Sequence, residues 1–265
     1  MKKSKNQQAT KNVTVGIERW LDDIARFASG PSTTRTLLER APVDEREAAW
    51  QANERKDIAD SIEINAGLAR LGIPFELGDL RAVRAPYPEA IPLLIHHLEK
   101  PHTDGVWLTI VGALRVPYGG REVFDAVYRF LQFYRDERSP LVPQGMGSHH
   151  AYALGDVLSE IADKSRTAEL SDLILDERNG SARLEPLFRL ARWKSPTAVE
   201  VAKRMLERND HSWYALHALR LAKARDAADL ARLYLAHDNV EFRAEARRYL
   251  NFLEKPPTPS RSKPK

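Results

Sequence analysis

The sequence predicts an all-α chain whose C-terminal two-thirds is a solenoid of paired antiparallel helices, preceded by an irregular helical cap. Three observations predict it. From Pro88 onward, helix-sized apolar stripes alternate with short breakers. Leu158, Leu190, Leu221 and Leu250 recur at matching places in successive segments, roughly 30 residues apart, the period of a repeat filled by two helices. Strand signals are almost absent, since Asn179-Gly180 lies between helical patterns and valine and threonine do not cluster.

The elements follow in order. Residues 1–12 carry four lysines and no acid, and are expected to be a disordered basic tail. The apolar run of a signal peptide does not follow them, because charges interrupt 13–30 every few residues. Residues 13–84 read as an irregular helical region. Ile17, Trp20, Leu21, Ile24 and Phe27 fall on one stripe that Gly30-Pro31 ends, and a short helix is expected at 33–40 before Pro42. Residues 45–71 read as one long helix or two. Ile58, Ile62, Asn65, Ala66 and Ala69 mark the expected inner face, and Gly72 with Pro74 forms the stop.

Residues 85–254 then read as five helix pairs: 88–100 with 104–116, 121–137 with 148–163, 167–177 with 181–193, 196–209 with 212–224, and 227–238 with 240–255. A single pair cannot bury its own apolar face, so stacking supplies the core. The tail 255–265 is rich in proline and lysine and is expected to be disordered.

Charge is unevenly placed. Residues 13–177 hold 18 Lys/Arg against 27 Asp/Glu, whereas 178–232 hold 12 against 6. An acidic front and a basic rear could orient a charged partner. The chain has no cysteine, which excludes thiolate nucleophiles and cysteine-ligated metal centres and points to a reducing, cytoplasmic setting. No run of 18 apolar residues occurs, so no membrane span is expected.

The repeats resemble HEAT-like repeats in detail as well as in period. In that family the second helix tends to open with Asp, then Val-Arg, then alanines. Residues 238–246, DNVEFRAEA, follow this pattern with Phe242-Arg243 in place of Val-Arg, and Asp238 is expected to cap the helix. The stretches APYPEAIPLLIHHLEKPH, GALRVP and DERNGSARLEPLFRLARWKSP are similar to a set of uncharacterised bacterial HEAT-repeat proteins. The resemblance spans about 70–250 and implies an α-α superhelix with no known activity attached.

Catalytic and metal motifs are wanting. His96-His97 and His149-His150 are adjacent pairs, and neighbours on a helix point about 100° apart, too divergent to chelate one ion. HEAT-repeat deoxyhypusine hydroxylases hold iron with His-Glu pairs, and no His-Glu dipeptide occurs here. The glycine-rich 143–150 segment lacks the lysine and spacing of a phosphate loop. No cofactor and no catalytic residue are therefore expected.

Arginine interleaved with aromatics on successive second helices is the more informative pattern, because these residue types dominate protein hot spots and also grip phosphates and bases. Arg183, Arg192, Trp213, Tyr214, His217 and Arg243 are the expected contributors to a partner-binding concave face. The expected function is a non-enzymatic protein–protein interaction module (scaffold, regulator or immunity-type binder), as a monomer. The second reading is nucleic-acid binding. The stretch ARWKSPTAVEVAKR is similar in outline to HEAT-like DNA glycosylases, which use tryptophans and a catalytic aspartate, yet no aspartate stands out near Trp193 and Trp213.

Overall fold

The computed structural model describes residues 43–83, 85–135 and 148–254. The two expected tails, the stripes at 17–27 and 33–40, and the linker 138–147 lie outside the described residues. Among the described residues there are eleven α-helices joined by turns and short 3-10 segments, with no strand. None of these helices is long and apolar enough to cross a membrane. The chain divides into two compact units, Met1–Ala162 and Asp163–Lys265.

In the first unit, α1 (Val43–Arg70) is a single helix. It is followed by α2 (Ile91–Leu98), α3 (Asp104–Leu114), α4 (Gly120–Arg135) and α5 (Ser148–Ile161). Pro92 sits in the first turn of α2, where its missing N–H costs nothing. The Thr103 hydroxyl caps α3 by accepting from Val106 N. The core is made where α2 meets α3 and α4 meets α5, while α2 also touches α4 and α3 touches α5. Leu94, Leu98, Trp107, Ile110, Leu114, Phe124 and Leu154 are fully buried there.

Helix α1 lies against both α2 and α3. Its covered flank is not the one that periodicity marks. Ile64 and Leu68 are buried, and Gly67 lets α2 approach so closely that a Cβ would fall 2.7 Å from the Leu93 side chain. Ile58 and Ile62 are exposed, as are Ala66 and Ala69. Of the expected inner residues, Asn65 alone is tied inward, its Oδ1 accepting from Leu77 N at 2.8 Å.

A polar chain fastens α1 to the α2–α3 turn. Asp60 accepts from Thr103 N at 2.7 Å and from His102 Nδ1 at 3.0 Å. That bond leaves the lone pair of His102 on Nε2, which lies 3.2 Å from Nδ1 of the buried His97, the donor in this tautomer. His97 is thus the first member of a hydrogen-bonded relay, and among the described residues no cluster of three candidate metal ligands is assembled. Burial, with help from Lys100 and His102, holds His97 down to about 4 against the opposing pull of Glu63.

A depressed histidine favours the neutral form in the fold. Its contribution is therefore complete above the unfolded value of 6.5 and is lost as pH falls toward 4. Urea unfolding followed between pH 7 and 4 is expected to show the first unit weakening across that window. His97→Gln should flatten this slope, and an unchanged slope would rule the relay out as its source.

The second unit contains α6 (Thr167–Leu175), α7 (Leu184–Arg192), α8 (Pro196–Glu207), α9 (Ser212–Ala222), α10 (Ala228–Leu233) and α11 (Val240–Glu254). Contacts run from α6 to α7, α8 to α9 and α10 to α11, and also within each set, α6 to α8 to α10 and α7 to α9 to α11. Three helices end in a left-handed residue that is not glycine: Lys194 after α7, Asn209 after α8 and Lys223 after α9. In each case the next N–H reaches back to an inner carbonyl, Ser195 to Leu190, Asp210 to Met205 and Ala224 to Leu219. These are Schellman closures that cap otherwise orphaned carbonyls.

The closures correct the expected leucine register. Leu190 and Leu219 occupy equivalent buried places, whereas Leu221 is only half-buried, and in α11 the inner positions are Ala246 and Tyr249 with Leu250 half-exposed. The expected Asp238 cap is likewise displaced by one residue, since Asn239 Oδ1 accepts from Glu241 N at 2.8 Å.

Candidate partner-binding face of the second unit

The six residues chosen from the sequence separate into two sets. Arg183 is 5% exposed, in the 3-10 segment that leads into α7. Its guanidinium donates from Nη2 to Asp210 Oδ2 at 2.9 Å and from Nε to Gly180 O at 3.1 Å. Arg183 therefore ties the start of α7 to the α8–α9 turn and is withdrawn from any surface. Tyr214 is 4% exposed and stacks on Phe188 with ring centroids 5.3 Å apart, joining α9 to α7. Arg243 is half-buried, and its Nη1 donates to the carbonyls of His237 and Asp238 at 2.6 and 2.7 Å. It holds the turn before α11. These three are corrections: arginine and tyrosine were read as contact residues, but the fold uses them to satisfy turns and fill the inter-helix seam.

Arg192, Trp213 and His217 remain accessible. Arg192 is exposed in the last turn of α7 and forms no ion pair among the described residues. Trp213 and His217 lie one turn apart on α9, half-exposed and stacked at 5.2 Å with nearly parallel rings. Phe188 of α7 packs beneath, 4.8 Å from the His217 ring and 6.2 Å from Trp213. Arg189 of α7 sits over the ring of Trp193, the residue that follows the helix, at 5.5 Å, a cation–aromatic pair.

The centre of the face is Glu245 of α11, which sequence reasoning passed over. Its side chain is 0% exposed. His217 Nδ1 lies 3.1 Å from Oε1, Arg220 Nε donates to the same oxygen at 3.0 Å, and Arg248 Nη1 donates to Oε2 at 2.9 Å. Burial alone would raise this carboxyl. The hydrogen bonds from His217, Arg248 and Arg220, with the Arg220 charge, outweigh burial and hold it down to about 2.

Each partner reaches outward from that fixed point. The side chains of His217, Arg220 and Arg248 are 22%, 31% and 63% exposed, in that order. One carboxylate therefore orients two guanidinium groups and an imidazole, the imidazole stacked on the Trp213 ring, and it spends both oxygens doing so. The signal was present in the sequence. Glu245 sits between Ala244 and Ala246, where the inner stripe of α11 calls for an apolar residue.

Chemically, the arrangement can receive an anion against a planar apolar surface, because guanidinium groups held in place bind carboxylates or phosphates with less ordering cost. Glu245 itself is a weak base there, since both its oxygens are hydrogen-bonded and its value is held down to about 2. No protein-family model, no curated protein and no solved structure matches the chain.

Proposed function

We propose that the chain is a non-enzymatic protein-interaction module of HEAT-like helical hairpins, whose second unit offers the α7, α9 and α11 face to a partner. The succession of contacts, α6 to α8 to α10 on one side and α7 to α9 to α11 on the other, supports the solenoid reading. The carrying observation is the buried Glu245, which fixes Arg220, Arg248 and His217, the last of them stacked on Trp213. Complementary chemistry is an acidic segment bearing an aromatic or apolar anchor, with the anchor on Trp213 and the carboxylates on the arginines.

Trp213→Ala is expected to reduce capture of the native partner by at least about ten-fold, as a central aromatic hot spot does. The comparison is between wild type and Trp213→Ala, each tagged and lacking residues 1–12 and 255–265, in pull-downs from the native host quantified by mass spectrometry. An unchanged bound set with α9 still helical would remove this face from the proposal.

The same arginines and tryptophans favour nucleic acid as the second reading. A salt titration with random duplex DNA separates the two, because phosphate contacts give a steep salt slope. Micromolar binding that survives removal of both tails would replace the protein partner with nucleic acid. Base excision is disfavoured, since the Glu245 carboxylate next to His217 is committed to its hydrogen-bond donors.

A further inference from the structure

One face of α1 changes character along the helix. Ile64 and Leu68 lie on it where α2 and α3 pack, and both are apolar and buried. At 100° per residue, Trp50, Glu54, Asp57 and Ser61 fall within about 40° of Leu68 but nearer the start of the helix. There the same face forms one wall of an open groove of about 410 Å³, completed by the 3-10 turn at Leu77–Asp79 and the start of α3. Leu77 and Val106 are its buried floor, and Ile58 and Trp50 line it while 60% and 63% exposed.

The lining carries three carboxylates, Glu54, Asp57 and Glu76, and neither lysine nor arginine. None of the three forms an ion pair among the described residues, whereas Asp60 and Glu63 on the same helix are matched by His102 and Lys100. Glu76 precedes the 3-10 turn without capping it through its side chain. Gly105 leaves room for Asp57 at the groove wall, since a Cβ there would fall 2.0 Å from Asp57 Oδ2. Glu54 and Asp57 stand one turn apart on α1 and Glu76 stands across from them, and among the described residues no group of three ligands could hold a metal ion.

We propose that this groove docks a basic segment of a partner protein through arginine. Charge and shape agree on that occupant. Uncompensated carboxylates beside an apolar floor select a side chain with an apolar stem and a cationic head. Arginine meets each part. Its stem covers Leu77 and Val106, its guanidinium gives paired hydrogen bonds to the carboxylates, and its plane stacks on the exposed Trp50 ring. An open groove suits a side chain carried on a peptide better than a small molecule, which needs enclosure. The groove belongs to the first unit and stands apart from the Trp213 face, so either surface can fail its test without the other.

The test uses the full chain and a fluorescein-labelled peptide, Arg-Leu-Arg flanked by Gly-Ser on each side, with binding followed by anisotropy. The comparison peptide carries citrulline for arginine, which keeps the shape without the charge. The arginine peptide is expected to bind at least about ten-fold tighter. Glu54→Gln with Asp57→Asn should abolish that margin. Gly78→Leu should weaken binding at least about ten-fold, because a Cβ there meets nothing within 4 Å and the side chain would fill the opening. Glu89→Gln with Glu122→Gln, exposed outside the groove, should change binding less than about two-fold. Equal affinity for the two peptides, or an equal loss in the two charge-removing pairs, would overturn the proposal. So would an affinity gain of about ten-fold on combining Lys2→Gln, Lys3→Gln, Lys5→Gln and Lys11→Gln, which would assign the groove to the chain's own N-terminus.

Discussion

Glu245→Ala is expected to lower the unfolding free energy of the second unit by about 3 kcal/mol, the largest effect of any polar substitution there. The carboxylate is fully enclosed and receives three donors from two helices, so its removal leaves His217, Arg220 and Arg248 without their common acceptor. The loss stays near the lower end for a broken buried pair because Arg220 and Arg248 are partly exposed and regain water. The depressed carboxyl value, set by the same hydrogen bonds, is of the same order. A fall from 4.5 to about 2 corresponds to about 3 kcal/mol of stabilisation.

The sign follows from that depression. The unfolded state holds the proton more tightly, so the contribution is full above pH 4.5 and is lost as pH falls through about 2. Denaturant melts at pH 7 and pH 3 should therefore separate wild type from Glu245→Ala widely at the first and by about half as much at the second. Glu245→Gln retains shape and one acceptor oxygen and should fall between them. A cost below 1 kcal/mol at pH 7 would show that the ion cluster decorates the α9–α11 contact without holding it.

Trp107→Ala should destabilise the first unit by about 3–5 kcal/mol, the range for deleting a large buried aromatic. Trp107 is 1% exposed and is the largest fully buried side chain of the unit. It packs within 5.6 Å of Phe130 and 5.4 Å of His150, ring centre to ring centre, and so joins α3 to α4 and α5. Its indole Nε1 is buried with no hydrogen-bond acceptor. Trp107→Phe therefore removes volume but no hydrogen bond, and is expected to cost about 1–2 kcal/mol. Equal losses for the two variants, by urea melts, would mean that the indole nitrogen contributes an interaction after all.

Helix positions were readable because their boundaries are chemical. Gly72 closes α1 with φ +73°, Pro88 and Pro196 open turns of helix, and apolar runs of helical period fill the spans between. Other ends were hidden: Lys194, Asn209 and Lys223 adopt a conformation that sequence habit reserves for glycine, because the Schellman hydrogen bonds outweigh the local strain. Flank choice was also hidden. Periodicity groups Ile58 with Ile62 correctly, yet it carries no information on which of two stripes α2 and α3 will cover.

The candidate face was legible in residue type and only partly in position. The exposure of Arg192 and the partial exposure of Trp213 and His217 follow from their places on their own helices. The placing of Arg183, Tyr214 and Arg243 was not legible, because their environment comes from Asp210, Phe188 and a turn carbonyl elsewhere in the chain. Glu245 was legible in principle, as a charge in an alanine-flanked inner position, but two of its three donors, His217 and Arg220, sit on another helix.

The ties between helices carry a kinetic consequence. Tyr87 to Ala113, Arg183 to Asp210, Tyr234 to Leu206, His217 to Glu245 and Tyr249 to Ala224 are separated by 26, 27, 28, 28 and 25 residues. Loops of that size close quickly and cheaply, so these hairpins can assemble while synthesis continues, without waiting for distant segments. Pulled from its C-terminal end, such a chain would yield in steps of about 25–30 residues, each released when one of these polar bolts gives way.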